Sequence, residues 1–323
     1  MQALQFSAFG DPLQSIELVD LPAPPAPGDG EVLVDVEYSP INQWELLMVR
    51  GHYGIRPPLP AGLGYEGVGR VRAVGNNVFS VKVGDRVSLP NDCRCWREQV
   101  LVSAKDLLPV ARQVDPQQLS MLRVNPPTAA LLLSEFAQLA PGDWVIQNAA
   151  SSGVGRSVIA FAKHRGLRTV NLVRRESLVD ELTRYGGDVV LVDGPKIAQR
   201  VADATQRAKI TLAVDAVAGE AVVSLTSCLA EGGTLVTYGG MSGQPGVLNP
   251  LHVIFRDVRV QGFWLLHPRW AAGPKVESAL REAIPLIADG TLHVPVAGAY
   301  ELAHFKDAIA HAVKGGKVLF KPS

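Results

Sequence analysis

The chain has 323 residues, 47% of them hydrophobic, with 31 Lys plus Arg balanced by 31 Asp plus Glu. That is enough apolar mass for a large core in about two domains, and a neutral chain argues against a nucleic-acid partner, which requires a basic face. No apolar run reaches the ~18 residues a membrane-spanning helix needs, residues 1–6 run straight into a strand-like pattern without a leader signature, and three irregularly spaced cysteines point to a reducing cytoplasm.

In chain order, the N-terminal third is short apolar runs broken by Pro and Gly. Residues 14–19, 31–38, 67–75, 84–89 and 98–102 read as strands, a spacing that predicts a β-barrel-like domain. Near Gln117 the texture changes. Strand-length apolar runs at 144–147, 169–173, 189–192, 212–215, 234–238 and 258–264 alternate with helical segments, which predicts a parallel sheet covered by helices. A helix around 276–288, a strand near Val294, a helix around 304–313 and a strand over 317–320 follow. This tail is expected to return to the first domain.

The stretch Asp143-Trp-Val-Ile-Gln-Asn-Ala-Ala-Ser-Ser-Gly-Val-Gly-Arg-Ser157 reads as strand, tight turn and helix, the opening of a nucleotide-binding βαβ unit. Unpaired N–H groups and the positive end of the helix dipole suit a pyrophosphate there. The glycine fingerprint is degenerate: Ala150 and Ser152 stand at its first two positions, only Gly155 is in register, and Gly153 is extra. A turn that serves packing alone is the competing reading. The next strand ends at Arg174-Arg175, where an NAD site would carry an acidic residue for the ribose hydroxyl. Guanidinium groups bind a 2′-phosphate through charge-assisted hydrogen bonds, so the pair favours NADPH over NADH, against the alternative of two solvated arginines.

The spread of motifs resembles the medium-chain dehydrogenase/reductase superfamily over nearly the whole chain. Gly64-Tyr-Glu-Gly-Val-Gly69, Ala73-Val-Gly75, Val83-Gly-Asp-Arg-Val87, Ser152-Gly-Val-Gly155 and Glu231-Gly-Gly-Thr-Leu-Val236 carry the likeness. It implies an α/β fold: a β-rich GroES-like barrel domain over residues 1–120 and 266–323, and a Rossmann doubly wound parallel sheet over 121–265. The chain departs from the zinc alcohol dehydrogenases of that superfamily. Tyr65 replaces the histidine of their Gly-His-Glu, and Asn42 stands where a ligand cysteine is expected. Cys93-Arg-Cys95 offers two thiols where a structural zinc takes about four, so a zinc-free site is expected. Both cysteines read as ordinary loop residues.

A narrower resemblance is to the NADPH-dependent trans-2-enoyl thioester reductases. It rests on Ile41-Asn42 with Gly51-His-Tyr-Gly54, Val124-Asn-Pro-Pro-Thr-Ala129, Thr237-Tyr-Gly-Gly-Met241 and Gly262-Phe-Trp-Leu265. By that resemblance Tyr53 is the catalytic residue. It also places Asn42, Asn125, Thr128, Ser151, Ser152, Gly153, Val154, Gly155, Arg174, Arg175, Glu176, Tyr238, Gly239, Gly240, Met241, Phe263, Trp264, Leu265 and Lys317 in the cofactor site. Arg175 replaces an acidic residue frequent in that family, and His52 and the Gln43-Trp44 pair are atypical of it. Phe263 and Trp264 read equally well as core or interface residues.

Hydride addition to the β-carbon of an enoyl thioester puts charge on the thioester oxygen, which requires hydrogen-bond donors and a proton for the α-carbon. A phenol (pKa ~10) carries such a proton at neutral pH, whereas Tyr53 as a mere aromatic loop anchor is the alternative. A quinone or enone reductase on the same scaffold is the competing enzyme. A cofactor-binding protein that has lost catalysis is the reading from another class. The expected partners are a small-molecule substrate and a second copy of the chain. The homodimer is implied by the family, with edge pairing near 258–262 as a route.

Overall fold

The structure, a computed structural model, describes every residue except Ala272 and Ser323. It divides into two compact units, Met1–Val124 with His293–Ser323, and Asn125–Leu292.

The second unit is built on six strands, Trp144–Gln147, Arg168–Val173, Val189–Val192, Ile210–Asp215, Thr234–Thr237 and Arg259–Gly262. All pair in parallel, in the spatial order third, second, first, fourth, fifth, sixth. This is the doubly wound dinucleotide order. Helices on both faces bury the sheet twice, so the strands read as continuous apolar runs. Ile146, Val170, Leu172, Ala213 and Leu235 lie in one core cluster, onto which Val222 and Leu225 of the helix Ala221–Cys228 pack.

Two boundaries differ from expectation. The sixth strand stops at Gly262, so Phe263 and Trp264 lie beyond it. The Phe263 N–H still donates to the Thr237 carbonyl, and its ring is pulled inward against Phe136 and Trp270, 5.9 and 5.7 Å away. The return to the first unit comes at His293 and not at residue 266. The helix Pro274–Ala288 is held to the second unit by Glu282, which accepts from both Nε and Nη2 of Arg165 at 2.9 and 2.8 Å, and by the pair Lys275–Glu135. Periodicity predicts such a helix but not the partner it packs on.

In the first unit the long strand Glu31–Pro40 is the organiser. It pairs antiparallel with Val68–Val74, with Gln99–Ser103 and, near Pro40, with the C-terminal strand Lys317–Phe320. The tail therefore returns as a strand beside Ser39 and Pro40. Val32, Val34 and Val36 alternate into one core with Val71, Val87 and Val100, the period-two pattern of a half-buried sheet. A second core gathers Phe6, Leu46, Trp96 and Phe320, the last two rings edge to face at 4.9 Å. The predicted strand over 14–19 begins with a helical turn, Pro12–Ser15, because Asp11 caps it by accepting from the Leu13 N–H at 3.0 Å. The strand itself is Ile16–Asp20.

Candidate active site

In the second unit the first strand leads through a tight turn into the helix Gly153–His164. Ser152 caps that helix, its hydroxyl accepting from the Gly155 N–H at 3.1 Å. Ala149 adopts a left-handed φ of 47°, a conformation that costs a non-glycine residue energy and that a turn of fixed shape imposes. The two glycines the degenerate motif retains sit against close neighbours, backbone at Gly155 and the end of the Asn125 side chain at Gly153. A Cβ at Gly155 would lie 2.6 Å from the Ala150 carbonyl oxygen, and one at Gly153 would lie 2.4 Å from Asn125 Nδ2.

Asn125 opens the helix Asn125–Glu135, and Thr128 follows one turn on; both are buried. Asn125 Nδ2 is a buried donor without an acceptor, and the buried Tyr238 hydroxyl lies beside Ser152 without a formed hydrogen bond. Gln147 gives its Nε2 to the Gly155 carbonyl and Asn171 Oδ1, leaving Oε1 unpaired. Unsatisfied buried donors beside a helix N-terminus fit an acceptor-rich ligand such as a dinucleotide. Arg174, Arg175 and Glu176 follow the second strand and are exposed. The loop 238–241 is held along the end of the fourth strand, with the N–H groups of Tyr238 and Met241 donating to the carbonyls of Asp215 and Ala216. Gly239 lies against Ala216 there, and Gly240 and Met241 are exposed. Leu265 is buried and Trp264 half-buried; Ser151 and Val154 are half-buried in the turn and first helical residues.

Sequence reasoning missed Asp215. It is buried at the end of the fourth strand and accepts from Asn148 Nδ2 at 2.6 Å, from Thr237 Oγ1 at 3.1 Å, and from the N–H groups of Val217 and Ala218. It thus ties together the carboxyl ends of the first, fourth and fifth strands, where ligands of doubly wound sheets bind. A lone acid closing an apolar strand was the available signal.

In the first unit four residues from distant parts of the sequence form a buried polar group. Asn42 precedes the helix Gln43–Val49. Its Nδ2 donates to Glu66 Oε1 at 3.1 Å, and its Oδ1 accepts from Lys317 Nζ at 2.9 Å. Glu66 Oε2 accepts from the N–H groups of Arg123 and Val124, both at 3.0 Å. Glu45 accepts from the Asn42 N–H at 3.1 Å and the Tyr65 N–H at 2.9 Å. Burial pushes Glu45 up to about 8, against the pull of those N–H donors, and pushes Glu66 up to about 7, against the opposing pull of Lys317. Lys317 is half-exposed as a residue, yet its ammonium is enclosed, and burial holds its pKa below the usual lysine value. The expected residues Asn42 and Lys317 are therefore brought together; Glu66, which lies in the Gly64–Gly69 motif but was not expected in the site, and Glu45, which no motif contains, complete the group.

The Gly64–Glu66 segment is fixed from below. Gly64 has a φ of 97°, and a Cβ there would sit 2.3 Å from the Trp96 nitrogen. Cys95, expected as an ordinary loop residue, is buried in the core and its thiol donates to the Glu66 carbonyl at 3.0 Å. Above it stand three aromatic rings. Trp44 stacks on Tyr53 with centroids 5.0 Å apart and planes at 27°, and meets Tyr65 edge to face at 4.9 Å. Tyr53 lies in a loop without regular structure and is half-buried. Among the described residues no group of three or more His, Cys, Asp or Glu side chains is placed to hold a metal ion, and Asn42 is committed to Glu66 and Lys317.

Residues 28–110 match the alcohol dehydrogenase GroES-like domain and residues 153–288 the zinc-binding dehydrogenase family. The human mitochondrial enoyl-[acyl-carrier-protein] reductase is 36% identical over 97% of this chain and 86% of its own length. A solved structure of a Bacillus thuringiensis protein assigned as an NADPH:quinone reductase superposes with a TM-score of 0.89 at 29% identity, covering 100% of this chain and 99% of that one. The complex of Etr1p with NADP and crotonyl-CoA has the same fold, with a TM-score of 0.90 at 23% identity and 99% coverage of each chain. The chain belongs to the enoyl-[acyl-carrier-protein] reductase family of the medium-chain dehydrogenase/reductase superfamily.

Proposed function

We propose that the protein reduces the C=C bond of trans-2-enoyl thioesters with NADPH. The observation that carries this reading is the pairing of two features in one chain: a glycine-tight turn with unsatisfied buried donors, and a tyrosine stacked on Trp44, two residues along from an asparagine held by Glu66 and Lys317. The relationship to the human reductase supports the substrate class. When bound, NADPH supplies the hydride for the β-carbon. Residues 151–155, Asn125, Thr128, Tyr238 to Met241 and Trp264 with Leu265 are the groups that would hold it, together with Asn42 and Lys317. Arg174 and Arg175 would bind its 2′-phosphate, and Glu176 would flank them. The Tyr53 hydroxyl donates to the thioester oxygen as charge accumulates there and supplies the proton to the α-carbon.

A quinone or enone reductase is the second reading, favoured by the likeness to the Bacillus thuringiensis protein. NADPH consumption with crotonyl-CoA against a benzoquinone separates them: a much higher kcat/KM for the thioester supports the proposal, and a higher value for the quinone refutes it. The homodimer is supported by the exposed edge strand Arg259–Gly262 and by the neighbouring helix Pro250–Arg256, which exposes Leu251, Ile254 and Phe255. Sedimentation of Val260→Lys checks it: the wild type should sediment as a dimer and the variant as a monomer. All three cysteines are free, which supports a reducing compartment such as the cytoplasm.

A further inference from the structure

We infer that Trp44 is a positioning residue for Tyr53, holding the phenol at one angle; this rests on the role given to Tyr53 above. The Tyr53 side chain rises from a loop without regular structure. The loop follows Gly51, whose φ is 75°, includes Gly54, and runs without strand or helix until Ala61. The indole of Trp44 lies nearly parallel to the Tyr53 ring at 5.0 Å, in the offset arrangement that aromatic quadrupoles favour.

Trp44 is in turn immobilised from two sides. It occupies the first turn of the helix Gln43–Val49, whose start is fixed where Glu45 accepts the Asn42 N–H. Its edge contact is with Tyr65, whose own N–H is held by the other oxygen of the same carboxyl group. One buried glutamate therefore sets both supports of the indole, and the indole sets the phenol. A ring with two χ angles stacked on a fixed plane loses most of its rotational freedom, so the hydroxyl is delivered to one place before substrate arrives.

The test is a double-mutant cycle on crotonyl-CoA reduction with NADPH, using Trp44→Leu, Trp44→Phe, Tyr53→Phe and the doubles. Trp44→Leu keeps apolar volume but removes the stacking face, and is expected to lower kcat about 3- to 10-fold with the NADPH KM unchanged. Trp44→Phe should restore most of that loss. Tyr53→Phe keeps the stacked ring but has no hydroxyl to misplace, so Trp44→Leu should then change kcat less than about twofold. An equal loss in both backgrounds, no loss at all, or no rescue by phenylalanine would overturn the role of Trp44 and leave that of Tyr53 standing. If Trp44→Leu does not fold, Trp44→Met takes its place in the cycle: a loss of kcat of about 3- to 10-fold confined to the Tyr53 background supports the inference, and an equal loss in both backgrounds or no loss overturns it. If Tyr53→Phe itself retains full turnover, the assignment of Tyr53 fails, and the inference with it.

Discussion

Lys317→Met offers a prediction whose sign is fixed by the buried group around Asn42. Two carboxyl groups and one ammonium share that group, so full ionisation would leave an excess negative charge out of water. Burial raises Glu45 from 4.5 to about 8 and Glu66 from 4.5 to about 7. A carboxyl raised in this way gives its full stability below pH 4.5 and loses it as pH climbs through the folded value, because the native state binds the extra proton. For Glu66 the interval from 4.5 to about 7 corresponds to about 3 kcal/mol, at ~1.4 kcal/mol per pH unit. Lys317 has the opposite sign. Its pKa is held below 10.5, so the penalty for its buried charge is relieved as pH rises towards 10.5.

The ammonium pulls both glutamate values down. Methionine keeps the length of the side chain and removes that pull, so both folded glutamate values rise further, that of Glu66 the more. The window over which stability drains away then lengthens at its alkaline end. At about pH 5 both proteins have protonated carboxyls, and the offset between them is the lost Asn42 contact less the relieved burial penalty of the ammonium. By about pH 8.5 the variant should fall a further ~1–3 kcal/mol behind, which for units of this size is about 3–10 °C in Tm. Calorimetric melts at about pH 5, 6.5 and 8.5 read this directly. A gap of constant size across the three would refute the claim that Lys317 stabilises ionised Glu45 and Glu66.

Tyr53→Phe should lower kcat on crotonyl-CoA by about 10²- to 10⁴-fold with NADPH affinity nearly intact, as read by steady-state kinetics and cofactor titration. Arg174→Ala should weaken NADPH by ~1.5–3 kcal/mol and barely affect NADH; equal losses by calorimetric titration would show that Arg174 does not read the phosphate. Gly155→Ala places a methyl 2.6 and 2.7 Å from two backbone carbonyl oxygens that cannot move aside. The start of the helix must shift, so NADPH affinity should fall at least ~10-fold and Tm by several degrees.

The two units were legible because the period of apolar residues changes near Gln117 from short punctuated runs to strand-helix alternation, and that change reports which faces are buried. The nucleotide turn was legible despite its missing glycines, since the strand before it and the helix after it carry the pattern, and the structure shows Gly155, the one glycine in register, to be the position where backbone oxygens leave no room for a side chain. The partner of the helix Pro274–Ala288 was not legible. Its apolar face would suit either unit, and Arg165–Glu282, 117 residues apart in sequence, decides the matter. The contacts of Asn42 with Glu66 and Lys317 span 24 and 275 residues, and no local periodicity encodes pairings of that range.

A well-packed apolar set could replace these buried charges at little cost in stability, so their role is better sought in direction than in energy. Glu45 presents two acceptors to two N–H groups, and Glu66 presents its own to Asn42 and to the N–H groups of Arg123 and Val124. The Asn42 amide then has one allowed orientation, nitrogen to Glu66 and oxygen to Lys317. Four chain segments are thereby fixed in position and polarity, among them the start of the helix that carries Trp44 and the residue pair that carries Tyr65. Glu66→Gln tests this in one atom. Its amide nitrogen, facing Asn42, would require that side chain to flip, which would set the Asn42 nitrogen against the Lys317 ammonium, donor against donor. Loss of turnover and of NADPH affinity out of proportion to the change in Tm is the outcome that direction predicts; a loss of stability alone would reduce the group to packing.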